Sequence, residues 1–124
     1  MNSSSSSSYL FIIATAPYAT IKGQEQLELA LTAASLDQKV SLLFLGPGVW
    51  HLTGSQEGPL CGRKTYTALL KALPHYDINT VYVSEQDFNM QGLAHSDLLI
   101  PVLLRGDQAI ATLIHQHTHS IHCI

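Results

Sequence analysis

Charge is scarce in this chain. Asp, Glu, Lys and Arg make up only 12% of its 124 residues, against about a quarter in an ordinary soluble domain, while the apolar share is unexceptional. So little charge leaves a surface short of polar cover and predicts a subunit that hides part of itself against partners. The formal net charge of −3 and the scattered Lys and Arg residues supply no basic stripe, which argues against direct nucleic-acid binding by this chain alone. Cysteine is equally sparse. Cys61 and Cys123 are far apart and fall in no CxxC or paired-ligand spacing, so no disulfide framework is predicted and a reducing cytoplasm fits best. No apolar run approaches the roughly 18 residues needed to cross a bilayer, so no membrane role is expected.

The N-terminus superficially resembles a secretion signal, because Ser3 to Ser8 precede the apolar run Tyr9 to Ala14 and an Ala14-Thr15-Ala16 triplet. No Lys or Arg comes before Lys22, however, and the run is short for a signal core. Residues 1–8 therefore read as a disordered Ser-rich leader and 9–124 as a single domain, long enough to bury a core without staples.

The rest of the chain is organised by alternation. Tyr9 to Ala14 is β-rich and apolar on consecutive positions, as a strand covered on both faces should be. After Gly23, Leu27, Ala30, Leu31 and Ala34 follow helical spacing, and Asp37-Gln38-Lys39 ends that helix. Val40 to Leu45 is a second buried strand, and a helix in so short a connection favours a right-handed crossover to a parallel neighbour. Gly46-Pro47-Gly48 then breaks the chain before a short helix or turn at Val49 to Leu52, with a loop over Thr53 to Pro59.

A second helix is predicted over Gly62 to Leu73, stopped by Pro74. Asn79 to Val83 follows as strand three, Ser84 caps a short helix through Phe88, and Gly92 ends it. Leu98 to Val102 reads as strand four. Gly106-Asp107 opens a helix carrying Ile110, Leu113 and Ile114, and Ser120 to Ile124 reads as a last strand. The fold class is α/β: a three-layer α/β/α domain with a mostly parallel five-stranded sheet.

In such a sheet, chemistry gathers outside the carboxyl ends of the strands. The motifs there are thin. Gly46-Pro47-Gly48 lacks the third glycine of a dinucleotide fingerprint, and Pro47 has no N–H for a phosphate. Gly58 to Thr65 has only three residues between its glycines and Arg63 before Lys64, so it is no P-loop. No cofactor is expected.

His115, His117, His119 and His122, beside Cys123, are metal-capable types; His115 and His119 share a face if helical. The simpler reading puts these imidazoles at the negative end of the last helix. Cys61, near a helix N-terminus with Arg63 and Lys64, reads either as a reactive thiol or as a small apolar filler. Cys123 reads as packing. Trp50, Tyr18, Tyr76 and Tyr82 read as core or subunit contacts.

Taken in order, the opening strand running into Ala14 to Thr20, Gly23-Gln24-Glu25 before a helix, Phe44 to Trp50, and Tyr76-Asp77-Ile78 before strand three resemble the TusC/DsrF subunits of sulfur-relay complexes. The resemblance covers nearly the whole chain after the serines. It implies a DsrE-like fold and a place in a heterohexamer with TusB-like and TusD-like subunits, which passes persulfide sulfur from a TusA-like carrier towards a TusE-like one for 2-thiolation of the tRNA wobble uridine. A DsrF-like role in sulfur oxidation is the alternative.

In that family the working thiol belongs to the TusD/DsrE subunit, just after strand three. Here the matching place holds Val83-Ser84-Glu85. A hydroxyl cannot take part in thiol–disulfide exchange, so the expected role is noncatalytic. Two further readings stay open: a stand-alone sulfur carrier using Cys61, and a metal-binding module using the C-terminal histidines.

Overall fold

The computed structural model describes residues 8–14, 22–53 and 63–123. Its centre is the apolar β1 (Ser8–Ile13), flanked by β2 (Lys39–Phe44) on one side and β5 (His119–Cys123) on the other. Beyond β2 lie β3 (Val81–Ser84) and the edge strand β4 (Leu103–Arg105), giving five strands in the order β4-β3-β2-β1-β5. All four pairings are parallel. Successive residues of a strand point to opposite faces, and both sets in β1 are apolar and buried: Phe11 and Ile13 on one side, Leu10 and Ile12 on the other.

Strand order decides where the helices fall. From β1 to β4 the chain advances in one direction across the sheet, and right-handed crossovers then lay their connections on one face. There α1 (Lys22–Ser35) contributes Leu27, Ala30 and Leu31, α2 (Arg63–Ala72) contributes Leu70, and α3 (Glu85–Met90) contributes Phe88 to a core with Phe11, Leu42, Phe44 and Val83. The step from β4 to β5 runs the other way, so α4 (Asp107–Gln116) crosses the opposite face. Its Ile110 and Leu113 close over Leu10, Ile12 and Leu43. Among the described residues the second helical layer is a single helix.

Local chemistry ends these elements, although Pro74 does not stop the second helix outright: the chain runs on through it as 3₁₀ to Tyr76. Asp37 (φ 66) and Asp77 (φ 62) take the left-handed conformation after α1 and after the 3₁₀ segment Leu73–Tyr76 that continues α2, a conformation that a short polar side chain tolerates. The predicted Ser84 cap is present, its hydroxyl accepting from the Asp87 N–H at 3.2 Å.

Strand four is displaced. Leu98 to Val102 is not a ladder strand: Leu98 makes an isolated antiparallel bridge to Thr53, the Leu99 N–H donates to the Leu52 carbonyl at 2.8 Å, and Pro101 has no N–H to give a ladder. The segment is apolar because Leu98, Leu99 and Ile100 pack against the first core. Pairing begins only at Leu103, opposite Tyr82. At the other end β1 starts at Ser8, one residue before the strand read from the sequence, where its backbone N–H lies 3.3 Å from the Thr118 hydroxyl and its own hydroxyl accepts from the Thr118 N–H at 2.9 Å.

Candidate functional site

The carboxyl ends of β1, β2 and β3 are drawn together by a short set of backbone demands. After β2 the chain turns through Gly46, whose φ of +51 suits a residue without Cβ, into the 3₁₀ segment Gly46–Leu52. Gly48 lies so close to the end of β1 that a Cβ there would stand 2.3 Å from the Ile13 carbonyl oxygen. Glycine is obligatory for that approach. The Ile13 carbonyl also accepts from the Leu45 N–H at 3.0 Å, which fixes the two strand ends relative to one another.

The third strand supplies the clamp. Asp87, in the first turn of α3, accepts the Gly46 N–H on its carboxylate at 2.7 Å; one helical turn later Gln91 accepts the Trp50 indole N–H at 2.7 Å. Residues four apart share a helix face, so α3 holds both the start and the middle of the 3₁₀ segment. Between them Phe88 is buried, its ring 5.4 Å from that of His95. Trp50, read as a core or subunit contact, is half-buried and engaged in this clamp.

Ser84 stands at the mouth of β3, 3% exposed, with its hydroxyl occupied in capping α3. Among the described residues no imidazole or carboxylate is bonded to it, so it is not set up as a nucleophile, which would need an adjacent base. What the arrangement does chemically is hold shape. The described part of the mouth is a hydrogen-bonded platform.

The other candidates are scattered. Cys61 lies outside the described residues, as do Tyr18 and most of the loop predicted over Thr53 to Pro59. Cys123 ends β5 in register with Ile13. His115 is exposed on α4, His119 stacks on the Tyr9 ring at 4.7 Å, and His122 is exposed on β5. Among the described residues no group of three or more His, Cys, Asp or Glu is placed to hold a metal ion. His117 instead has Nδ1 2.7 Å from the Leu113 carbonyl at the end of α4. Sequence reasoning passed over Asp87 and Gln91; a donor left bare by the Gly46 turn was the available signal.

The DsrE/DsrF-like family model matches residues 7–122. The chain belongs to the DsrE/DsrF-like family. Within it, similarity runs to proteins of two names. An intracellular sulfur oxidation protein DsrF of Allochromatium vinosum is 34% identical over 91 residues, covering 73% of this chain and 67% of that protein. A TusC homolog of Pseudomonas aeruginosa is 31% identical over 116 residues, 94% of this chain and 98% of the relative, and one of Vibrio vulnificus is 32% identical over 105 residues, 85% and 89%. Among solved structures, the ychN protein of E. coli superposes with a TM-score of 0.80 across 94% of this chain and 98% of its own at 14% identity, a likeness of fold alone. No helix among the described residues is long and apolar enough to cross a membrane.

Proposed function

We propose that this DsrE/DsrF-like chain is a noncatalytic, TusC-like subunit of a cytoplasmic sulfur-relay complex, assembled with TusB-like and TusD-like subunits. In that reading the complex receives persulfide sulfur from a TusA-like carrier and hands it towards a TusE-like one for 2-thiolation of the tRNA wobble uridine. The supporting observation is Ser84: at the mouth of β3 a buried hydroxyl caps a helix where a relay subunit would carry its thiol. Because sulfane sulfur moves by thiolate attack on sulfur, this position supports the relay as structure and not as carrier.

Co-expression with TusB-like and TusD-like chains tests the reading. A stable complex is expected, with labelled sulfur recovered on the partner's cysteine and none on this chain. Sulfane sulfur held covalently by this chain with no companion present would overturn it and favour a carrier using Cys61. The similarity to DsrF favours a second reading, in which the same architecture serves sulfur oxidation; the carrier that the assembled complex accepts distinguishes the two.

A further inference from the structure

Among the described residues, the face crossed by α4 is only partly covered. Side by side across it stand Leu103, Tyr82, Leu43 and Ile12, each in register with the next. Leu43 and Ile12 lie beneath Ile110 and Leu113, whereas Tyr82 is half-buried and Leu103 is 42% exposed. Two residues further along β4, and so on the same side, Arg105 stands in register with Ser84. Its guanidinium lies over the Tyr82 ring, 5.5 Å from the centroid, and donates one hydrogen bond to the Leu104 carbonyl at 2.8 Å. Among the described residues no carboxylate pairs with it.

A half-buried guanidinium, oriented by an aromatic ring and a carbonyl but lacking a counter-charge among the described residues, is set up for a carboxylate from outside. A second copy of this chain does not meet that need by pairing the same strip with itself, because Tyr82, Leu103 and Arg105 include no acid and the two cations would face each other. We propose that this strip docks a different protein chain, one that lays an aliphatic surface on Leu103 and a carboxylate on Arg105. The inference rests on the subunit reading above, and places a partner contact beside the mouth of β3.

The test uses the complex co-expressed with the TusB-like and TusD-like chains. A photo-crosslinking benzoylphenylalanine in place of Leu103 is expected to label a peptide of another subunit with an Asp or Glu close by. Arg105→Glu is expected to weaken assembly roughly tenfold or more, Arg105→Lys less, and the charge-matched Lys71→Glu on exposed α2 not at all; circular dichroism of each variant confirms folding. Wild-type affinity in folded Arg105→Glu, or crosslinks confined to this chain or to a second copy of it, overturns the docking inference while the subunit reading stands. If the unmodified chain forms no complex, both fall.

Discussion

On one face of the sheet, Phe11, Ile13, Leu42, Phe44, Val81 and Val83 lie beneath three helices and two 3₁₀ segments; on the other, α4 is the one helix among the described residues that covers Leu10, Ile12 and Leu43. The residues are equally apolar where covered, so the difference is one of supply: three connections cross the first face and one returns across the second. A single helix is about 10 Å wide, while five strands at about 4.8 Å spacing span roughly twice that. Among the described residues, part of the second face is therefore left uncovered by α4. The first face accordingly carries most of the buried core, and the second face less of it.

The largest break expected in that comparison is Phe44→Ala. Phe44 is fully buried in the thick core, and truncating a buried Phe costs about 3–5 kcal/mol, readable as a lower urea midpoint at unchanged slope. A loss below about 1 kcal/mol would mean that the three-helix face is not the stabilising one.

Next comes the junction between β1 and β2. A methyl added at Gly48 would stand 2.3 Å from the Ile13 carbonyl oxygen, and the neighbour in the way is backbone, which cannot swing aside as a side chain can. Gly48→Ala is therefore expected to cost about 3 kcal/mol, the upper end of ordinary overpacking. Gly46→Ala sharpens the point, since nothing lies within 4 Å of a Cβ there and only its φ of +51 opposes the change; about 1 kcal/mol is expected. Equal losses in the two variants would show that conformation and not close approach governs this loop.

A smaller effect is expected at the clamp. Asp87→Ala leaves the Gly46 N–H without its acceptor, worth about 1–2 kcal/mol for a half-buried charged bond. Ser84→Ala removes one capping bond at about 1 kcal/mol. Hydrogen exchange at the Gly46 amide separates them: it should quicken in Asp87→Ala well beyond its change in Ser84→Ala.

Much of this was legible along the chain. Consecutive apolar residues gave β1 and β2 because a central strand is buried on both sides, and the 3.6-residue stripe of Leu27, Ala30 and Leu31 gave α1. Ser84 announced its cap by residue type. What escaped was non-local. The Asp87 to Gly46 bond joins residues 41 apart, and Arg105 meets Tyr82 only because β4 pairs with β3. The Leu98 to Val102 run was apolar enough for a strand yet serves as irregular packing under the first core, a distinction that hydrophobicity alone does not encode. The uneven helical layers follow from strand order, which no single segment specifies.

The smallest effect is the most diagnostic. Leu103 is as apolar as any core residue but 42% exposed, and an exposed side chain contributes little to the free energy of folding. In the isolated chain Leu103→Ser should therefore shift unfolding by no more than about 0.5 kcal/mol, roughly a tenth of the Phe44→Ala effect although both remove a large apolar group from a sheet. A loss near 2 kcal/mol would mean that Leu103 is already buried within the single chain, and that the second face is closed without help. A near-zero shift would show that the apolar surface of Leu103 adds nothing to the stability of the isolated chain.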